Sequence, residues 1–367
     1  MESGTKNKLS DRKFLLKWVI PVFLVLAIYI IQLFPAWIEK NYSTHWYVFI
    51  SRLLRSLTGW LPFSIGDLFY IITGIRLLFW LIGLVWVFVK KRFTWKRLGL
   101  GVLGVIRLFL WIYIWFNLAW GLNYNRLGIA YQLHLKTEEY STQELSELVC
   151  DLIDTLNTTR DALGDSTYQY PPEKASLLAA HDAYEKAEEK FPFLEYRRYS
   201  VKPSLMTAVV SYAGYSGYYN PFSGEAQVNT DLPGFLIPYI TCHEMGHQLG
   251  YASESEASFV GYLAATNSGN TFFRYSAAFD LYLTASGELY RRDFWAARAI
   301  ATSLNPVVRK DVRAYREYIF GKQNHVEPVV KLLYDQYLKA NQQTSGINSY
   351  NEVVGWLIAY RKKNPLR

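Results

Sequence analysis

Only two cysteines, Cys150 and Cys242, occur among the 367 residues, so no disulfide framework can hold this chain together and at most one bridge is available. Two buried free thiols are the expected state, because Cys242 adjoins His243 on one predicted helix and must turn away from that residue's partners. Internal repeats and low-complexity tracts are absent. Charge is missing altogether from Trp18 to Ile38, and acidic residues are scarce before residue 123: residues 1–122 hold 15 Lys and Arg against 4 Asp and Glu, whereas residues 123–367 hold 24 against 27. The formal charge of +8 therefore belongs to the apolar third of the chain and gives no reason to expect a nucleic-acid partner.

What the first third does contain is long apolar runs. Residues 18–38 are uncharged and long enough, at about 1.5 Å per residue, to cross a hydrocarbon layer of roughly 30 Å. Two further runs, Leu68 to Val89 and Leu98 to about Trp120, are each interrupted by one arginine, Arg76 and Arg107, and give spans over about 66–89 and 98–120. Three transmembrane helices are predicted. A cleaved signal peptide is disfavoured, since the first run exceeds a signal core in length and Phe34-Pro-Ala-Trp-Ile-Glu39 offers no small-x-small site. Basic residues at Lys6, Lys8, Arg12, Lys13 and Lys17, and again at Lys90, Lys91, Arg92, Lys96 and Arg97, place the N-terminus and the 90–97 loop in the cytoplasm. Everything after the third span is then extracytoplasmic. Arg76 and Arg107 should face the bundle or a polar pocket, or snorkel. Residues 45–60 read as an interfacial helix, aromatics and leucines on one side and Arg52 and Arg55 on the other, or as a lid over the outer domain.

The expected organisation is a membrane domain over 1–122 and an extracytoplasmic domain over 123–367. The second is mainly helical, an α+β unit with a small sheet. A helix over 142–163 opens with a capping box, Ser141 and Glu144, and a second runs from Pro172 to Lys190. Residues 205–230 mix β-branched and aromatic residues with glycine and turn pairs and are read as strands. From Pro233 onward the pattern is helical: to Tyr251, then 253–267, 274–302, 306–321, 326–339 and 349–362.

Within that last stretch, His243-Glu244-Met245-Gly246-His247 carries the chemistry. Positions i and i+4 of a helix share a face, so both imidazoles can meet one Zn²⁺ while Glu244 reaches a zinc-bound water. A catalytic zinc takes a third protein ligand. His134, His181 and His325 are available, but Ser253-Glu254-Ser255-Glu256 follows at once, and a reversal at Gly250 brings either Glu254 or Glu256 back beneath the metal. A metzincin pattern would need histidine at 253, which is serine.

HExxH followed by Glu-x-x-Ala is similar to the glutamate-zincin metallopeptidases, the membrane prenyl-protease and heat-shock types among them. The resemblance implies that Glu254, three before Ala257, completes the ligand set, with Glu256 as the alternative. Ser258 stands where that family has Asp or Asn and would support a ligand histidine. The wider arrangement resembles an uncharacterised family of bacterial integral membrane proteins: three spans, PFSIGDL before the second, WGLNY after the third, then NPFSGEAQVN, HEMGHQLGYASESEA and SGINSY.

The expected function is zinc-dependent hydrolysis of peptide or amide bonds at the outer face of the cytoplasmic membrane. Glu244 is the expected general base, zinc the cofactor, and a peptide or protein near the bilayer the partner. Tyr350 and His325 are candidate oxyanion donors. The Gly-rich stretch 212–219 is expected to give an edge strand against which a peptide adds. The alternative is a catalytically silent zinc-bearing scaffold or sensor; a transport component built on Arg76 and Arg107 is a third, weaker reading.

Overall fold

A computed structural model describes residues 2–90, 94–136, 139–164, 168–343, 345–346 and 352–364. Lys91 and Arg92 of the basic loop lie outside them. The chain is mainly helical. Among the described residues its first third contains α1 (Glu2–Gln32), α2 (Tyr47–Thr58), entered through a helical stretch over 35–46, α3 (Ile65–Val89) and α4 (Trp95–Ala119). Two helices, Ile65–Val87 and Leu98–Ala119, are long and apolar enough to cross a membrane. The first predicted span differs from expectation. Its helix stops at Gln32, ahead of Pro35, and counts as a third crossing only when joined to Pro35–Thr58, from which it is bent by 95°. Proline has no N–H for the ladder and disfavours helix in the residue before it, and Phe34 accordingly leaves the helical region.

The remaining helices are α5 (Gly128–Leu133), α6 (Thr142–Leu163), α7 (Glu173–Lys190), α8 (Thr207–Ala213), α9 (Ile237–Gln248), α10 (Glu254–Asn267), α11 (Thr271–Arg292), α12 (Phe294–Ala301), α13 (Pro306–Lys322), α14 (Glu327–Ala340) and α15 (Glu352–Lys363). The capping box at the head of α6 is reciprocal: Glu144 N–H donates to Ser141 Oγ at 3.2 Å, and Ser141 N–H donates to Glu144 Oε2 at 2.7 Å. The single helix expected over 274–302 is two, because extended Asp293 ends α11 and its carboxylate accepts from Ala296 N–H at 2.9 Å to start α12. The strand reading of 205–230 is correct only in part. Thr207–Ala213 is helical, ended by Gly214 in the left-handed region, and the sheet consists of β1 (Val201–Pro203), β2 (Gly217–Asn220) and β3 (Glu225–Val228). β3 is central, parallel to β1 and antiparallel to β2.

α9 lies in the core with all twelve residues buried, packed between α10, α7, α11 and the sheet. Its carbonyl end is satisfied by the first third of the chain. Tyr47 donates to Gln248 O at 3.1 Å, Ser51 to the same oxygen at 2.7 Å, and the Trp120 indole to His247 O at 3.2 Å. α2 therefore turns its polar side inward, burying Ser51, Arg55 and Thr58, and its apolar side outward, with Phe49, Leu53 and Leu57 exposed. The division expected at 122/123 is bridged by these contacts, and again at the start of α3. There Glu225, fully buried, accepts from Gly66 N–H at 2.6 Å, Ile65 N–H at 3.1 Å and Ser64 Oγ at 3.1 Å, while Asp67 accepts from Leu205 N–H at 2.7 Å and Tyr218 hydroxyl at 2.5 Å. A carboxylate at a helix N-terminus meets both the unsatisfied N–H groups and the positive end of the dipole. The PFSIGDL and NPFSGEAQVN segments are thus two halves of one joint between sheet and membrane helix.

Glu225→Ala is expected to leave the Ile65 and Gly66 amides unpaired in a buried place and to cost about 3 kcal/mol. Thermal unfolding in detergent reads this as a midpoint lowered by several degrees; an unchanged midpoint contradicts the joint.

Candidate metal centre

The sequence around the site turns sharply where it must. α9 ends at Gln248, and Gly250 adopts φ +88°, a conformation that costs an L side chain; a Cβ there would also lie 2.7 Å from the Tyr47 ring. Arg126 fastens this turn. It donates to Gly250 O at 3.1 Å and is itself held by Glu39, Nη2 to Oε1 at 2.7 Å and Nε to Oε2 at 2.9 Å. The chain then reverses into α10, whose Gly261 faces the His243 backbone so closely that a Cβ would sit 3.0 Å from His243 N. This approach carries the first turn of α10 under the histidines.

His243 Nε2 and His247 Nε2 both face one oxygen, Glu254 Oε2, at 3.2 and 3.4 Å. A charge-assisted N–H···O bond would be shorter, roughly 2.7–2.9 Å. Two ligands each about 2.05 Å from a tetrahedral zinc are about 3.3 Å apart, the spacing observed. The rings are perpendicular, 88° apart. Their outer nitrogens are engaged: His247 Nδ1 lies 2.8 Å from Tyr251 O and His243 Nδ1 3.2 Å from Ser258 Oγ. A carbonyl only accepts, so His247 carries its proton on Nδ1, and in the neutral ring Nε2 presents a lone pair.

With no cation between them the three groups compensate one another's charge. Burial pushes the His243 ring below its ordinary value. Burial also opposes charge on His247, but the adjoining Glu254 carboxylate outweighs it and holds that ring up at about 9. Burial likewise opposes charge on Glu254, and the His247 and His243 rings pull its carboxyl well below the ordinary range. Glu254 Oε2 and Glu244 Oε2 are buried without a hydrogen-bond donor. A buried carboxylate oxygen facing two ring nitrogens, with no N–H or O–H of its own, fits a divalent ion.

Glu244 stands beside this group. Burial is the main cause of its carboxyl being pushed up to about 8. It lies against β2: a Cβ on Gly217 would fall 2.5 Å from Glu244 Oε1 and 2.8 Å from Gln227 O, so the strand approaches only because residue 217 has no side chain. A cleft of about 240 Å³ opens over Glu244, His247 and Glu254, walled by Tyr215, Gly217, Tyr218 and Tyr219 on one side and Trp120 and Tyr124 on the other.

Of the alternatives for the third ligand, none joins the group. Glu256 is turned away, its Oε1 accepting from Ile129 N–H at 2.8 Å in the neighbourhood of Arg126. On a helix, residues 254 and 256 differ by about 200° in direction, so only one of them can point at α9. His134 and His325 are exposed, and His181 stands on α7 beside Asp182 and Glu185. His325 does not line the cleft, and Tyr350 lies outside the described residues. Both cysteines are free. Cys242 is buried as expected, whereas Cys150 is exposed, because it falls on the outer side of α6.

Several contributing residues carry no motif. Tyr334 on α14 lines the cleft and donates its hydroxyl to Glu254 Oε1, while Glu254 N–H donates to Gln343 Oε1 at 3.2 Å. Gln248 joins the end of α9 to the sheet region through Ser200 O at 2.9 Å and Gly224 O at 2.8 Å. Such pairings, between residues 24 to 89 apart in the chain, leave no local signal.

A model of the family described as "Protein of unknown function (DUF3810)" matches residues 42–358. No curated protein and no solved structure matches the chain.

The ligand set has a direct check in elemental zinc per chain after dialysis. Wild type and Glu256→Gln are expected to retain the metal, and His243→Ala, His247→Ala and Glu254→Ala to lose most of it. Equal zinc in wild type and Glu254→Ala contradicts the assignment.

Proposed function

The chain belongs to the DUF3810 family, and from that premise together with its site we propose that it is a membrane-anchored zinc metallopeptidase hydrolysing peptide or amide bonds. The observation that carries the reading is the meeting of His243, His247 and Glu254 at tetrahedral spacing, with an unpaired Glu244 oxygen beside them under an open cleft. A scaffold that only bound zinc would have no use for Glu244 there.

Zinc, when bound, supplies a Lewis acid that polarises a carbonyl and lowers the pKa of water toward ~7. The chain's own groups do the rest. Glu244 takes the proton of the attacking water and returns it to the departing amine. His247 is held in register by Tyr251 O, and His243 by Ser258. β2 has β3 on one side and, among the described residues, no strand on the other, so an extended peptide can pair along Gly217–Asn220 with its carbonyl over the histidines. Tyr215, whose ring meets that of Tyr334 edge-on at 5.1 Å over the cleft, is the donor for the developing oxyanion that the described residues offer in place of His325; Tyr350, outside those residues, remains a candidate.

The positive-inside pattern supports an inner-membrane protein with a cytoplasmic N-terminus and an extracytoplasmic site. Glu244→Gln is expected to keep its zinc and lose hydrolysis of a peptide library by a factor on the order of 10²–10⁴. Gly217→Ala, which crowds Glu244 without touching a ligand, should also keep zinc and lose activity. A fully active Glu244→Gln protein sinks the proposal.

A further inference from the structure

The cleft is built from the ends of the spans. Trp120, one residue beyond the apolar stretch Leu98–Ala119, bonds the His247 carbonyl. Across the cleft, Tyr218 donates to Asp67 in the first turn of α3, and Phe69 of the next turn meets Phe222 at 5.9 Å. The site is thus built at the ends of the two apolar stretches, ringed by the tyrosine and tryptophan side chains that favour the level where hydrocarbon gives way to headgroups. Below it the helices part. α1 packs along α4, but among the described residues no part of the most apolar window of Ile65–Val87 is buried. Among the described residues α3 packs extensively against neither α1 nor α4, so its apolar surface is left open beside the cleft.

One helix crosses the cleft. α14 starts beside Gly214, where a Cβ would lie 3.2 Å from Glu327 Oε1. It finishes against the end of α4, the Tyr337 ring meeting Phe116 at 6.5 Å and its hydroxyl meeting that of Tyr124 at 3.2 Å. Tyr334 and Tyr337 turn into the cleft. The outward side of α14 presents Val329, Leu332 and Leu333, 56–66% exposed, and Leu205, just before α8, and Val209 on α8 are exposed on the wall that is bonded to α3. An exposed apolar stripe of this kind, beside the ends of two helices apolar enough to cross a membrane, suits a lipid surface.

We propose that α14 is an interfacial lid lying on the outer leaflet, and that the cleft takes its peptide from the bilayer. The substrate class is a peptide whose target amide lies within a few residues of an apolar anchor, the anchor lying along α3 while the amide reaches β2. The choice of an amide rests on the metallopeptidase reading above; the lipid contact does not. An acyl chain and a hydrophobic helix share the required chemistry.

Two measurements on the full chain in phosphatidylethanolamine–phosphatidylglycerol vesicles test this. In the first, a Cys150→Ser, Leu333→Cys protein carries an environment-sensitive fluorophore at 333, buried Cys242 staying unlabelled. Emission is expected to be quenched by shallow lipid-borne nitroxides and shielded from iodide, unlike the same dye at exposed Lys186→Cys. Iodide quenching equal to that control overturns the lid. In the second, the zinc-loaded Glu244→Gln chain binds a labelled peptide bare, acylated, or fused to an apolar helix, each corrected for partition into protein-free vesicles. At least one anchored form is expected to bind tenfold or more tighter than the bare peptide, with the gain removed by Leu332→Glu and Leu333→Glu together; which form gains identifies the anchor. Equal binding of all three overturns the substrate class. Preferential binding of an anchored peptide that wild type never cleaves leaves this inference standing and removes the peptidase reading.

Discussion

A carboxylate oxygen buried between two imidazole nitrogens, with no hydrogen bond donated to it, is an unfavourable arrangement unless a cation shares the space. Desolvation works against charge on Glu254, His243 and His247 alike, and without metal the trio is neutralised by a proton shared among them. A divalent ion removes that compromise, because it prefers both rings neutral and the carboxylate ionised. The geometry around the trio suits such an ion. The turn at Gly250, the close approach of α10 at Gly261 and the bond from Tyr334 to Glu254 all serve to hold three donor atoms at tetrahedral spacing.

The first third of the chain is part of the same construction. The carbonyl end of α9 is capped by Tyr47, Ser51 and Trp120, and the turn beyond it by Arg126 paired with Glu39. A helix whose last carbonyls were left to water would fray at His247, the residue least able to tolerate it. The joint of Glu225 and Asp67 with the head of α3 fixes the other wall of the cleft. Membrane helices and site are therefore mechanically one unit, which explains why segments so far apart in sequence belong together.

Local physics made parts of this legible in advance. The i, i+4 histidines, the capping box of α6, the reversal at Gly250 and the apolar stretches of α3 and α4 follow from spacing, propensity and length alone. The choice between Glu254 and Glu256 came from a resemblance, and packing supports it, since Glu256 meets Ile129 N–H. What failed was decided elsewhere. Thr207–Ala213 is helical although rich in strand formers, because it is short and ended by Gly214, and tertiary context outweighs propensity at that length. The first span ends early at Leu33-Phe34-Pro35. Tyr334, Gln343 and Gln248 act across 24 to 89 residues of sequence, beyond the reach of any periodicity.

The account turns on what occupies the space between His243, His247 and Glu254. X-ray absorption at the zinc edge on the purified full-length chain reads it directly. Two imidazoles and a carboxylate with nitrogen and oxygen neighbours at about 2.0–2.2 Å, and a remaining light-atom position that changes when a hydroxamate is added, is the predicted result. A chain that carries no transition metal after gentle purification, or a closed shell that includes Cys242 sulfur, contradicts it.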